Sequence, residues 1–129
     1  MSIYRLLSSR RSLLIDAAMA LVLVTGLIHL VEVPANYSEA AYQGILFFLN
    51  AAGAAVAAYA IYRHKTWGWG LGLLVTIGAL VMYIVSRTVG LPGLEVDTQW
   101  FEPIGVLSLI VEVLFIVISF IYLTHYRKP

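Results

Sequence analysis

Residues 103–123 have the sequence PIGVLSLIVEVLFIVISFIYL, in which one charged residue, Glu112, interrupts an otherwise uncharged run. Three further apolar runs of similar length precede it, at residues 12–31, 41–62 and 67–86. A helix of about 20 apolar residues spans the roughly 30 Å hydrocarbon core of a bilayer. The four runs therefore predict an all-α protein with four transmembrane helices, at about residues 12–32, 41–63, 67–88 and 103–124.

The composition agrees with a single membrane domain of 129 residues. The chain is 61% apolar and only 12% charged, and its mean hydropathy is +0.90. The absence of cysteine excludes disulfides, thiol redox chemistry and thiolate metal sites. A formal net charge of +1 gives no sign of a nucleic-acid-binding surface, so the lipid bilayer is the predicted partner.

Basic residues are distributed asymmetrically about the four runs. Of the eight Lys and Arg residues, Arg87 alone lies at the C-terminal end of the third predicted helix, and the others lie before the first run, between the second and third, or after the fourth. The positive-inside rule makes those three regions cytoplasmic, which predicts an up-down-up-down bundle with both termini cytoplasmic, in the plasma membrane. The seven residues are Arg5, Arg10, Arg11, Arg63, Lys65, Arg127 and Lys128.

Local signals place the ends of the first and fourth helices. Pro34 and Asn36 predict a break after the first helix, and Glu102-Pro103 predicts an acidic cap with proline at the first helical position. The pair Arg10-Arg11 resembles a twin-arginine export signal, but the long run after it favours an uncleaved helix. Asp16, inside that run, is expected to pair with Arg10, Arg11 or a C-terminal base.

Each predicted helix carries a stripe of small or polar residues at helical spacing. In lipid such groups face the bundle interior or water. Because helical side chains lean toward the helix N-terminus, the stripes converge in the outward half of the bundle. We expect a polar network or ligand-binding site there, formed by His29, Glu32, Asn50, Tyr83, Arg87, Glu102 and Glu112.

Glu112 is the most costly of these residues, because an acidic group at a helix centre opposes insertion by about 2.5–3.5 kcal/mol unless it is neutralised or paired. It can be protonated and hydrogen-bonded to Asn50, or ionised against Arg87. The sequence leaves open whether the carboxyl group belongs to a structural network that fixes helix register or to a functional site.

Several ligands fit the polar residues in part. His29 and Glu32 share a helix face and, with Glu102, Glu39 or Asp97, are weak candidates for a zinc or copper site. No second helix repeats the Glu-x-x-His pattern of di-metal bundles. His29 is the one histidine within a helix interior that suits haem, whereas Arg87, His29 and Tyr83 suit a quinone or a lipid headgroup. No nucleophile has an adjacent base, so an enzyme ranks third.

Three strings carry a resemblance to known sequences: HLVEVP at residues 29–34, SRTVGLPG at residues 86–93, and EPIG at residues 102–105 continuing to Ser108 and Glu112. They resemble an uncharacterised family of small four-helix bacterial integral membrane proteins. The resemblance covers about residues 26 to 115 and implies that the outward-half residues are the hallmark of the family, but it brings no activity.

The leading functional hypothesis from the sequence is a non-enzymatic accessory subunit that packs against a larger membrane complex or forms a homo-oligomer. Small size, short connections and the lack of a catalytic constellation favour it. The alternative is a ligand-binding bundle that holds a metal ion, a quinone or a lipid in the outward-half site.

Overall fold

The computed structural model describes residues 2–127, and in that part of the chain the structure is helical without strands. The helices are α1 (Ile3–Glu39), α2 (Ala41–Tyr62), α3 (Thr66–Thr88) and α4 (Pro103–Ile121), and α4 continues as a π-helical segment, Tyr122–Tyr126. All four are long and apolar enough to cross a membrane. The predicted all-α class and four spans are confirmed, and the chain has the construction of a small multi-pass membrane protein.

The helices form a bundle in which each helix packs against the next and α4 packs against α1. At one end, which we call the basic end, the Arg11 guanidinium donates to the Tyr122 hydroxyl at 2.9 Å and to the Tyr126 carbonyl at 3.1 Å. The opposite end carries the connection between α3 and α4, residues 89–102, and we call it the loop end.

The predicted break after the first helix is not at Pro34 or Asn36. The helix runs through both to Glu39, and Ala40 alone, in an extended conformation, separates it from α2. Pro34 lacks an N–H group, so the carbonyl of Leu30 loses its helical donor, yet the helix continues past it, as transmembrane helices allow at proline. Just beyond Pro34, the Asn36 side chain adds a bond to the Glu32 carbonyl at 2.8 Å. At 37 residues, α1 is about 55 Å long.

Large aromatic side chains fill the half of the bundle toward the basic end. The rings of Trp69 and Tyr122 stack with their centroids 4.0 Å apart, and Trp69 also stacks on Phe115 at 6.3 Å. Small residues bring α1 and α2 together near the middle of the bundle: a Cβ atom on Gly26 would lie 2.8 Å from the Cβ atom of Ala54. Small residues permit such close approach in lipid.

Asp16 forms no ion pair with Arg10, with Arg11 or with any other base among residues 2–127. The core-facing positions of this part of α1 are Ile15 and Ala18, so Asp16 points away from the bundle and is exposed. Arg11 turns instead to the C-terminal end of α4. Within residues 2–127 the structure has one salt bridge, at Arg87, and Lys128 lies outside the described residues.

Candidate functional site

Toward the loop end, the four helices enclose a cavity of about 1140 Å³. All four helices and the connection 89–102 contribute to its wall. The structure brings all seven of the residues expected at the outward-half site to this one cavity, which is large enough for an organic ligand. They are His29, Glu32, Asn50, Tyr83, Arg87, Glu102 and Glu112.

The cavity lies beside the aromatic packing and not within it. Trp69, Phe115 and Tyr122 fill the basic end, and none of the three lines the cavity. Its wall combines larger side chains, such as Phe47 and Tyr83, with the glycines Gly53 and Gly78.

His29 is buried and presents one hydrogen-bond acceptor. Its Nδ1 atom lies 2.8 Å from the carbonyl oxygen of Thr25. A carbonyl oxygen only accepts, so Nδ1 carries the hydrogen and the Nε2 atom of the neutral ring is an acceptor. Nε2 has no hydrogen-bond partner among residues 2–127, and the ring packs against Phe47 with the centroids 5.0 Å apart.

Glu112 is only 2% exposed, and its single hydrogen bond within the described chain comes from the Ser108 hydroxyl, whose oxygen lies 2.5 Å from Oε1. The expected bond between Asn50 and Glu112 is absent. Asn50 Nδ2 donates instead to the Val75 carbonyl of α3 at 3.1 Å, because that carbonyl lies directly across the α2–α3 contact. The Oδ1 atom of Asn50 is left buried without a partner in residues 2–127.

Arg87 does not pair with Glu112, which was the second expectation for this carboxyl group. Its Nη2 atom lies 3.3 Å from Asp97 Oδ2, its Nε atom donates to the Gln99 carbonyl at 3.2 Å, and its Nη1 atom donates to Ser86 Oγ at 3.0 Å. The reason is local: α3 ends at Thr88, and the chain turns back at Gly90 with φ of 88°, which returns the connection to Arg87.

Glu102 has the predicted structural role. Its two carboxylate oxygens accept from the backbone N–H groups of Ile104 and Gly105, at 3.2 and 2.8 Å, so the side chain caps the N-terminus of α4. This use removes it from the expected metal site. Within residues 2–127 no three His, Asp or Glu side chains are grouped closely enough to hold a metal ion, so His29, Glu32 and Glu102 do not assemble as that prediction required.

The cavity wall contains polar residues beyond the seven expected ones, among them Asn36, Gln43 and Ser108. Gln43 is 8% exposed, its Nε2 atom donates to Asn36 Oδ1, and its Oε1 atom is buried without a partner in the described chain. A signal existed, because Gln43 precedes Asn50 by two helical turns and so shares its face. Asn36 could not be found, because the sequence placed it in a loop.

Tyr83 lies where the connection meets the cavity. Its hydroxyl donates to the Trp100 carbonyl, with 2.5 Å between the oxygens, and its ring lies edge-on to Trp100 with the centroids 6.2 Å apart. Glu32 differs from the other six in having no side-chain hydrogen bond or ion pair within residues 2–127, although its backbone carbonyl accepts from Asn36.

Comparison of the chain with protein-family models, with curated proteins and with solved structures found no match. The fold and the cavity define the class of protein: a small multi-pass helical membrane protein with a polar-lined space inside its bundle. The resemblance to a small bacterial membrane family stays a prediction. The chemistry of the site therefore has to be argued from its own atoms.

Proposed function

We propose that the protein binds a small amphipathic molecule in the loop-end cavity. The observation that carries this proposal is the convergence of polar residues from all four helices on one space of about 1140 Å³, whose remaining wall is largely aliphatic. A ligand pocket combines an apolar lining with a few oriented polar groups in this way. A network serving helix register alone would pair its own members, whereas the Glu32 carboxylate has no partner in the described chain and Glu112 has one, Ser108, on Oε1.

The route into the cavity supports a ligand that dissolves in the bilayer. Leu46 and Leu49 of α2 and Gly78 and Met82 of α3 line the cavity and are also exposed. We call the opening between these residues the α2–α3 gap. The gap lies between two hydrogen bonds. One is the Asn50 bond to Val75, and the other, toward the loop end, is the 2.6 Å bond from the Tyr42 hydroxyl to the Pro92 carbonyl. A hydrophobic molecule can reach the cavity sideways from lipid through this gap.

A matched pair of glycine variants tests the proposal. Gly70 and Gly78 are both exposed on α3, and a Cβ atom added at either meets nothing within 4 Å, but only Gly78 lines the cavity. We expect Gly78→Phe to obstruct the α2–α3 gap and Gly70→Phe to leave it open. Native mass spectrometry of the protein released from lipid nanodiscs should show one bound molecule in wild type and Gly70→Phe, and loss of that molecule in Gly78→Phe. Equal occupancy in all three, or an empty wild-type protein, would contradict the proposal.

We further propose that the helices alternate in direction, with the basic end in the cytoplasm and the loop end outside, in the plasma membrane. Contacts between the start of one helix and the end of its neighbour support alternation, as for Trp69 with Tyr122 and Arg11 with Tyr126. The positive-inside rule supports the sidedness, since Arg11, Arg63 and Lys65 lie toward the basic end.

The absence of native cysteine makes this topology directly testable. Val96→Cys, in the exposed α3–α4 connection, should react with a membrane-impermeant maleimide on intact cells. His64→Cys, in the exposed α2–α3 turn, should react only after the cells are opened. The reverse pattern would invert the proposed orientation.

A second function, an accessory subunit of a membrane complex or a homo-oligomer, is favoured by Asp16. This carboxylate is exposed on a membrane-spanning helix and has no ion-pair partner in the described chain, whereas an acid in such a position costs about 2.5–3.5 kcal/mol at the helix centre. A donor from a neighbouring chain would offset that cost. Asp16→Ala should then abolish a larger species on native gels, and Ser12→Ala, on the same exposed face, should not. Identical migration of both variants and wild type would exclude the contact.

A further inference from the structure

We infer that the ligand of the loop-end cavity is an amphipathic amine, with an ammonium or other hydrogen-bond-donating head group on an apolar chain. The inference rests on the proposed function, because it names the ligand class of that same cavity. Its basis is an imbalance in the cavity wall: several acceptors have no partner in the described chain, whereas each donor atom of Arg87 and Tyr83 already has one.

The charged residues of the cavity wall are also unbalanced, because acidic residues outnumber basic ones. Of the seven acidic residues, only Asp16 lies away from the cavity, whereas Arg87 is the one Lys or Arg residue among its lining. A cleft lined by one sign of charge, with low-dielectric walls, concentrates ligands of the opposite sign. The six acidic lining residues are Glu32, Glu39, Glu95, Asp97, Glu102 and Glu112.

The orientation of Gln43 can be derived from a backbone group. Asn36 Nδ2 lies 2.8 Å from the Glu32 carbonyl, which only accepts, so the amide of Asn36 is fixed with its Oδ1 atom toward Gln43. That oxygen must receive the Nε2 hydrogen of Gln43. The Gln43 Oε1 atom is therefore the free atom, and it is an acceptor.

The same reasoning applies to Asn50 and His29. Each uses its donor on a backbone carbonyl, of Val75 and of Thr25 respectively. Asn50 Oδ1 and His29 Nε2 remain as acceptors, without a partner in residues 2–127. Three side chains of the cavity lining, on two helices, thus keep an acceptor without a partner in the described chain, and the free oxygens of Gln43 and Asn50 are themselves buried.

The carboxyl groups add to this set. Glu32 has no hydrogen bond or ion pair to its side chain in the described chain, and Glu112 receives a single hydrogen bond, from Ser108 on Oε1. A carboxylate accepts several hydrogen bonds at once, and charge-assisted bonds from an ammonium group are the strongest available to it.

Each donor atom of Arg87 and Tyr83 already has an acceptor. All three nitrogens of the Arg87 guanidinium have acceptors, its face lies on the Tyr83 ring with 3.6 Å between Cζ and the ring centroid, and the Tyr83 hydroxyl donates to the Trp100 carbonyl. An anionic lipid headgroup or a quinone needs donors from the protein. An ammonium group needs acceptors, and the cavity supplies acceptors.

Four probes, each representing one class of ligand, test this inference against its alternatives. They are decylamine, decanoate, decylubiquinone and zinc chloride. Binding to wild-type protein in phosphatidylcholine nanodiscs is followed by native mass spectrometry for stoichiometry and by titration for affinity. We expect one decylamine per protein, bound about tenfold or more tightly than the other three probes. Stronger binding of decanoate, decylubiquinone or zinc would overturn the inference and leave a ligand-binding cavity standing.

Variants tie the binding to the cavity. Glu112→Gln should weaken decylamine binding about tenfold, because a charge-assisted bond becomes a neutral one. Asp16→Asn, which removes the acidic residue away from the cavity, should leave the affinity as in wild type. Glu32→Gln repeats the test at a half-buried site without side-chain partners, and so with little risk to folding. An unchanged decylamine affinity in both cavity variants would overturn the inference. If the protein is purified without a ligand and binds none of the four probes, the proposed function is overturned as well.

Discussion

The guanidinium carbon of Arg87 lies 3.6 Å from the centroid of the Tyr83 ring, which stands one helical turn earlier on α3. Both side chains then bond to the connection 89–102: Arg87 to Asp97 and to the Gln99 carbonyl, and Tyr83 to the Trp100 carbonyl. The stacked pair therefore attaches the connection to the end of α3. Arg87 has a structural partner in each direction, which would stabilise a base at the loop end, the end that the proposed orientation places outside.

Removal of the Arg87 guanidinium should release this connection. Arg87→Gln loses the cation–π contact and the bonds to Asp97 and Gln99, and we expect the free energy of unfolding to fall by about 1–3 kcal/mol. Chymotrypsin should then cut near Trp100 and Phe101 faster than in wild type. Unfolding in sodium dodecyl sulfate gives the stability, and limited proteolysis in nanodiscs gives the accessibility.

The matched variant for this prediction is Asp97→Asn. The Asp97 side chain is 47% exposed, so its ion pair is screened and should contribute less than about 1 kcal/mol. The two variants should therefore differ clearly. An Asp97→Asn protein as unstable as Arg87→Gln would show that the ion pair, and not the contact with Tyr83 and the backbone, holds the connection.

Glu112 and Ser108 should respond in opposite ways to substitution. Glu112→Leu removes a buried polar group and its desolvation cost together, so we expect a stability within about 1 kcal/mol of wild type, or above it. Ser108→Ala leaves Glu112 buried without its donor, which should cost about 1–3 kcal/mol. Stability is measured as unfolding in mixed micelles. A Glu112→Leu protein less stable than Ser108→Ala would mean that the carboxyl group is structural.

The contact between Gly72 and Phe115 should be sensitive to a single methyl group. A Cβ atom on Gly72 would lie 2.4 Å from the tip of the Phe115 ring, which is fully buried. Gly72→Ala should therefore destabilise the bundle by about 1–3 kcal/mol through overpacking. Phe115→Leu in the same chain should recover part of that loss, and Gly70→Ala, with open space around the new methyl group, should cost nothing. Additive effects of Gly72→Ala and Phe115→Leu would contradict the contact.

The sequence predicted those features that depend on composition and periodicity. Helix number, the bounds of α2 and α3 within a residue, and the sharing of one space by seven polar residues all follow from apolar runs and helical spacing. Features that depend on the path of one side chain were not predictable. Arg87 turns to the connection because Gly90 reverses the chain, and Asn50 bonds to the Val75 backbone, an acceptor that no residue pattern reveals. Pro34 was misread because proline usually marks the end of a helix, whereas α1 continues through it to Glu39.

Glu102 distinguishes a structural member of the cavity wall from a ligand-binding one. Its carboxylate caps α4 through the N–H groups of Ile104 and Gly105, so Glu102→Ala should lower the free energy of unfolding by about 0.5–2 kcal/mol. Glu102→Asp, a good capping residue, should retain most of that stability. Because both oxygens serve the cap, decylamine affinity in Glu102→Asp should stay within about twofold of wild type, in contrast to Glu112→Gln. Affinity and stability are measured on the same nanodisc preparations. A loss of affinity in Glu102→Asp with stability intact would place Glu102 among the groups that contact the ligand.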